Sequence, residues 1–183
     1  MYLYLHVPYC RSRCIYCDFY VVLEKYADRA RFVETLCDEV RARLQHEQLQ
    51  TQETVTLQGV YIGGGTPSLL TAADYARLFQ VIRQEAQCAP DSEITLEANP
   101  EAMVDDAKAY REVGINRLSV GVQSFQDAEL KALSRIHSAQ QARAFIAQVQ
   151  QAGFDNVSLD LMYGLPLQTM ASWEDTLQKT IDC

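Results

Sequence analysis

The sequence predicts an α/β fold built on a parallel sheet, and three observations carry that expectation. Hydrophobic spacing switches repeatedly between a strand period of two and a helical period of about 3.6, giving five successive βα units. No break in composition divides the 183 residues, so the units belong to one body. Every predicted strand ends in polar or backbone-exposing residues, and in parallel βα folds the chemistry gathers at those ends.

The elements follow in order. Met1 to Val7 is a short apolar strand. Phe32, Val33, Leu36, Cys37, Val40 and Leu44 recur at helical spacing, which predicts an amphipathic helix over roughly residues 24–48. Val55 to Ile62 reads as a strand closed by three glycines, and Thr71 caps a helix over Ala72 to Ala86. Glu93 to Ala98 is a strand stopped by Asn99-Pro100, and a helix over Pro100 to Val113 ends at Gly114. Arg117 to Val122 is a strand, Asp127 to Leu133 a short helix, and Ala139 to Ala152 a longer one stopped by Gly153. Asn156 to Met162 is the fifth strand, followed by a Gly164-Leu165-Pro166 turn and a helix from about Ala171. Two architectures share this pattern, an open doubly wound sheet and part of a βα barrel. The fifth unit runs out at Cys183, which leaves a strand edge that proteins normally pair or cover. The chain is therefore expected to be the N-terminal part of something longer.

Composition narrows the function classes. Sixteen basic against twenty-four acidic residues give a formal charge of −8, which argues against nucleic acid as the main partner. No apolar stretch reaches spanning length, and the N-terminus lacks the basic segment of an export signal. Cys37, Cys88 and Cys183 are scattered, with Cys37 on an apolar helix face, a pattern that fits a reducing cytoplasm better than a disulfide framework.

The other three cysteines fall within eight residues, in HVPYCRSRCIYCDF. A structural zinc site needs four protein ligands, and Cys10, Cys14 and Cys17 supply three. Zinc would require His6 or a distant cysteine, since Asp18-Phe19-Tyr20 holds no thiol. The alternative is a 4Fe–4S cluster held at three corners, with one iron left open for chemistry. Tyr16, inside the loop, suits packing against a cluster or a flat ligand.

The remaining strand ends carry Gly63-Gly64-Gly65-Thr66-Pro67, Glu97, Gln123 and Asp160. Each has an ordinary reading: a turn for the glycines, a loop cap for Glu97, a sheet-satisfied amide for Gln123. Three glycines in a row exceed the needs of one turn and leave N–H groups for a guest, though the Lys-Ser/Thr of a phosphate loop is absent. Asp160 stands in an apolar run, where an ionised carboxylate is costly without a partner. Arg135 reads as a solvated helix arginine, and His137 and His46 as surface residues. His6 reads as a satisfied core or loop histidine, with metal ligation the alternative.

Six blocks carry a resemblance: YLHVPYCRSRCIYCDF, YIGGGTPS, EANPE, RLSVGVQSF, LSRIH and DLMYGLP, in this order over nearly the whole chain. The cysteine loop, with an aromatic residue before its last cysteine, resembles the signature of the radical S-adenosylmethionine (SAM) superfamily. The set is similar to the oxygen-independent coproporphyrinogen III oxidase family, including its HemW-like heme chaperones. That resemblance implies a partial (β/α)6 TIM-type barrel. Residues 1–183 would form its first five βα units, a radical SAM core domain, with the sixth strand and a C-terminal domain outside this chain.

The resemblance also implies that Cys10, Cys14 and Cys17 hold the 4Fe–4S cluster and that SAM chelates the open iron through its amino and carboxylate groups. An electron then cleaves SAM to methionine and a 5′-deoxyadenosyl radical. Tyr4, Tyr16, Gly64, Gly65, Thr66, Glu97, Gln123, Arg135 and Asp160 match the SAM-contacting positions. The glycine edge would offer backbone partners to the methionyl amino group, Arg135 a bidentate clamp for a carboxylate, and Glu97 or Asp160 acceptors for ribose hydroxyls.

The family divides into oxidases, which decarboxylate two propionates of coproporphyrinogen III, and HemW-like members, which bind heme and deliver it to hemoproteins. The oxidase pattern implies an N-terminal extension and a further cysteine soon after the third. Here Cys10 is almost at the start and Asp18-Phe19-Tyr20 replaces that cysteine, which favours the heme chaperone and leaves enzymatic activity open. The alternatives are the oxidase and a heme-degrading radical SAM methyltransferase. The expected partners are SAM and heme or a porphyrinogen, with hemoprotein acceptors beyond them. The chain by itself is expected to bind SAM weakly and heme poorly.

Overall fold

The computed structural model of the protein describes residues 1–103 and 105–183. Its strands are β1 (Tyr2–Val7), β2 (Tyr9–Cys10), β3 (Val22–Leu23), β4 (Thr56–Gly64), β5 (Gln87–Ala98), β6 (Arg117–Gln123) and β7 (Val157–Leu161). Its helices are α1 (Arg29–Thr51), α2 (Ala72–Glu85), α3 (Ala107–Val113), α4 (Asp127–Ala132), α5 (Ala139–Gln151) and α6 (Met170–Ile181).

Five strands form one parallel sheet in the order β1-β4-β5-β6-β7, which is also their order in the sequence. A doubly wound sheet must reverse its strand order at a switch point. This sheet never reverses, so right-handed crossovers carry every helix to the same face. The open doubly wound alternative is thereby excluded. The sheet is five strands of a βα barrel wall, as the resemblance implied.

Strand register sorts the side chains onto two unlike faces. Leu5, Val7, Val60, Ile62, Leu96, Leu118, Val120 and Val122 are buried in one core with Val33, Val40, Tyr75, Phe79, Tyr110, Phe145 and Val149 of the helices. The opposite, concave face carries Tyr4, Tyr61, Thr95 and Arg117 in one rung, since Tyr4 pairs with Tyr61, Tyr61 with Thr95 and Thr95 with Arg117. Helix starts are fixed locally. Asp28 caps α1, and capping boxes at Thr71/Asp74, Ser138/Gln141 and Thr169/Ser172 open α2, α5 and α6. Among the described residues no helix is long and apolar enough to cross a membrane.

Several boundaries differ from expectation for physical reasons. β5 begins at Gln87, not Glu93, because a bulge opposite Leu57–Gly59 absorbs the extra residues around Pro90. The predicted helix from Pro100 includes Val104, which lies outside the described residues; the observed helix starts at Ala107, where Asp106 caps it. A three-residue 3-10 turn over Glu24–Tyr26 precedes α1. The pair β2/β3 was not foreseen. Two residues per strand give no readable period, yet their pairing closes the cysteine loop, with Val22 N–H donating to Pro8 O at 2.7 Å.

Two fully buried tyrosines brace the loop after the glycines. Tyr75 Oη donates to Pro67 O at 2.8 Å, and Tyr110 Oη to Leu70 O at 2.8 Å. Tyr75→Phe leaves a buried carbonyl without this donor and is expected to lower the unfolding free energy by about 1–2 kcal/mol, read as a fall in the urea midpoint at unchanged m-value.

Candidate cofactor site

At the carboxyl ends of the strands one cavity takes in the cysteine loop and the polar residues together. Cys10, Cys14, Cys17, Tyr16, Gly64, Gly65, Thr66, Glu97, Gln123, Arg135 and Asp160 all line it. Tyr4 stands apart. It lies lower on the concave face, stacks on Tyr61 at 6.2 Å and donates from Oη to, or accepts at, His6 Nδ1 at 3.0 Å.

The cysteine loop turns on itself, with Cys17 N–H donating to Cys14 O at 3.2 Å. The three thiols are free and partly buried. Among the described residues no three Cys, His, Asp or Glu side chains gather tightly enough to hold a single metal ion. Burial pushes the Cys10 thiol up, the Thr66 hydroxyl pulls it back, and Cys17 and Cys14 push it further up. His6 points elsewhere, its Nε2 lying 3.4 Å from Tyr20 O.

The glycines act by absence of a side chain. A Cβ at Gly65 would stand 2.7 Å from Tyr9 O and 2.9 Å from Cys10 Sγ, and one at Gly64 (φ +118°) would strike the His6 ring at 2.7 Å. The expected free N–H groups are not there. Gly64 N–H donates to Glu97 Oε2 at 3.1 Å, Gly65 N–H to Val7 O at 2.8 Å and Thr66 N–H to Tyr9 O. What the segment can turn toward a guest is carbonyl oxygen.

Arg135 is the largest departure from expectation. It lies in the loop after α4, with its side chain only 5 % exposed. A cation buried to that degree must be compensated. Its Nη2 donates to Gly121 O at 2.8 Å and Asn99 Oδ1 at 2.9 Å, and Nη1 to Cys14 Sγ at 3.7 Å. Glu101 Oε1 balances the charge at 3.6 Å. Both Nη2 hydrogens are engaged, so the two-pronged carboxylate clamp is not what this geometry offers. Nε is buried with no partner.

His137 is likewise buried rather than on the surface. Its Nδ1 lies 2.9 Å from Glu101 Oε2 and its Nε2 3.2 Å from Val122 O. Burial pushes the Glu101 carboxyl up, but the bond to His137 and the charge of Arg135 outweigh it and hold the group below its ordinary range.

The other carboxylates are set differently. Glu97 does not cap the loop before Pro100; it accepts from Tyr61 Oη at 2.8 Å and from Gly64. Its carboxyl is raised by burial despite those two bonds, and the Tyr61 phenol is pushed up to about 12 by desolvation and by Glu97. Asp160 is exposed, because β7 is an edge strand and its rung opens to the cavity; it is not stranded in an apolar core. Ser119 Oγ donates to it at 3.1 Å, and desolvation on the cavity side raises its carboxyl. Gln123 takes φ +69° at a register shift, an uncommon backbone state for a residue with a side chain. Tyr16 is 36 % exposed, and its phenol is pushed up to about 12, chiefly by desolvation, with Arg135 lowering and Cys14 raising it.

The profile of the radical SAM superfamily matches residues 4–180. The chain belongs to the radical SAM superfamily. It is 39 % identical over 182 residues to the bovine mitochondrial radical S-adenosyl methionine domain-containing protein 1, covering 99 % of this chain and 40 % of that protein. It is 37 % identical to the heme chaperone HemW of Haemophilus influenzae, over 98 % of this chain and 47 % of the relative. Among solved structures, Escherichia coli coproporphyrinogen III oxidase (HemN), a radical SAM enzyme, superposes with a TM-score of 0.81 at 28 % identity, over 98 % of this chain and 41 % of that one. The chain thus spans less than half the length of these relatives.

Sequence reasoning missed Asn99, Glu101, Ser119 and His137 as members of the site. Asn99 and Glu101 lie inside EANPE and His137 inside LSRIH, so the blocks that carried the resemblance contained them.

The two half-buried glutamates, Glu101 and Glu97, respond oppositely to pH. The depressed carboxyl of Glu101 contributes stability that is present above the unfolded value near pH 4.5 and lost as pH falls through its folded value. Glu101→Gln is therefore expected to cost on the order of 2 kcal/mol near neutrality, a deficit that shrinks in acid. The raised Glu97 contributes most below about pH 4.5 and loses that contribution as pH rises through its folded value. Glu97→Gln should gain on the wild type as pH rises above the unfolded value near 4.5, with urea midpoints across a pH series measuring both trends.

Proposed function

We propose that Cys10, Cys14 and Cys17 hold a 4Fe–4S cluster by three thiolates, that SAM binds beside it, and that the protein is a HemW-like heme chaperone. The observation that carries the cofactor reading is the unpartnered, buried Nε of Arg135. An orphaned donor of this kind is rare unless a ligand completes it, and a carboxylate does so. Superfamily membership calls for a cluster and SAM, and the residues lining the cavity fit both.

When bound, the cluster supplies one electron to the SAM sulfonium. The chain's part is to bind and orient. Arg135 Nε would donate to the methionyl carboxylate as a single prong. Carbonyls of the Gly63–Gly65 segment would accept from the ammonium, since the N–H groups of Gly64 and Gly65 are engaged. Both Glu97 oxygens already accept bonds, whereas Asp160 has acceptor capacity facing the cavity and is the freer partner for a ribose hydroxyl. Tyr16 would pack on the guest and keep water from Arg135. Tyr4 and Gln123 would border the nucleoside and Thr66 the cluster edge.

Residues 1–183 would work as one radical SAM core domain, since one five-stranded sheet and one core run through the described residues. A reducing compartment such as the cytoplasm suits an exposed cluster. The heme assignment rests on relatives named heme chaperone HemW, including those of Haemophilus influenzae and Lactococcus lactis at 37 % and 36 % identity. It also rests on the lack of a thiol in Asp18-Phe19-Tyr20. The likeness to HemN and 35 % identity to the Bradyrhizobium diazoefficiens oxygen-independent coproporphyrinogen III oxidase favour the second reading, decarboxylation of coproporphyrinogen III.

One experiment separates them. The full-length protein is reconstituted without oxygen and given SAM, reductant and either heme or coproporphyrinogen III. We expect about four irons per chain, stoichiometric heme uptake and no protoporphyrinogen. Protoporphyrinogen formation would establish the oxidase instead. Iron should be lost in Cys14→Ala and sharply reduced in Gly65→Ala, whose Cβ would displace Cys10. A single zinc ion, or iron retained in Cys14→Ala, would overturn the cluster itself.

A further inference from the structure

Two of the three cysteine sulfurs are joined by a continuous chain of hydrogen bonds that no sequence block announced. It runs from Cys10 through Thr66, Asn99 and Arg135 to Cys14. Thr66 Oγ1 donates to Cys10 Sγ at 3.5 Å, Asn99 Nδ2 to Thr66 Oγ1 at 3.1 Å, Arg135 Nη2 to Asn99 Oδ1 at 2.9 Å, and Arg135 Nη1 to Cys14 Sγ at 3.7 Å.

Its direction is forced. A guanidinium has donors only, so the amide atom facing Arg135 is the oxygen and the nitrogen faces Thr66. The Thr66 hydroxyl, accepting from that nitrogen, turns its own hydrogen to Cys10. Thr66 is 3 % exposed, so water does not compete for the hydroxyl. A chain of aligned donors polarises along its length. The charge of one arginine therefore reaches two sulfurs, directly at Cys14 and through two intermediaries at Cys10.

We propose that Asn99 is a positioning residue that extends the influence of Arg135 to Cys10 and thereby raises the reduction potential of the cluster. Donors to cluster sulfurs stabilise the more negative, reduced form. This inference rests on the cluster reading above. Asn99 does not touch the cysteines; it acts through Thr66.

The test is an EPR-monitored reductive titration of the anaerobically reconstituted full-length protein. In Asn99→Ala and in Thr66→Val, at wild-type iron content, the reduced-to-oxidised ratio at a fixed applied potential should fall roughly tenfold, about 59 mV for a one-electron couple. Thr66→Ser restores the hydroxyl and should return the midpoint to the wild-type value. An unmoved midpoint in both variants at full cluster content overturns the proposal. So does loss of the cluster from both variants while Thr66→Ser retains it, which would make the chain a structural brace. Absence of a cluster from the wild type would instead refute the cluster reading on which this inference stands.

Discussion

A single buried cation organises the site. Arg135 reaches the interior from a loop, and stripping a guanidinium of water costs several kcal/mol unless charge and hydrogen bonds replace it. The replacements come from three places along the rim: Cys14 from the loop after β2, Asn99 and Glu101 after β5, and Gly121 on β6. Cys14, Asn99, Glu101 and Gly121 line the cavity as partners of that charge, while Glu97 is held by Tyr61 and Gly64 and Asp160 by Ser119. Nε stays buried without a partner in a residue that lines the cavity, so the side chain whose charge organises the site also keeps one unmet donor.

The sheet explains why such a site forms at this rim. Its monotone strand order sends the helices to one side and leaves the other side concave and polar. Along that concave wall Arg117 donates to Thr95 and Ser158, Ser158 to Ser119, and Ser119 to Asp160, a ladder of small hydroxyls between charged groups. An apolar wall would have collapsed onto itself. This one stays open, and Asp160 and Glu97 sit on its upper rungs with raised carboxyls beside the cysteine loop.

Beneath the rim the structure is braced independently of any guest. Glu129 is 2 % exposed and accepts from Ser124 at 2.6 Å, Ser172 at 2.6 Å and Gln168 at 3.2 Å. It thereby ties α4, the segment after β7 and α6 to the residue following Gln123. That clip holds the uncommon backbone of Gln123 in place. Tyr75 and Tyr110 do the same under the glycine loop. Rigid support of this kind is what a site needs when its guest must meet several groups at once.

Periodicity and punctuation by themselves determined the five βα units, the helix starts at Ala72 and Ala139, the cap at Thr71, the core role of Cys37 and the grouping of polar residues at one end of the sheet. These are local matters, written in side-chain spacing and capping chemistry within a few residues. The sequence blocks implied the barrel that periodicity left open. Tertiary structure alone decided the rest: that the glycine N–H groups are engaged, that His137 is inside, and that Arg135 is a buried hub. Strand order and charge burial depend on which distant segments meet. Asn99 and Arg135 lie 36 residues apart and become partners only when β5 and the loop after α4 share a rim.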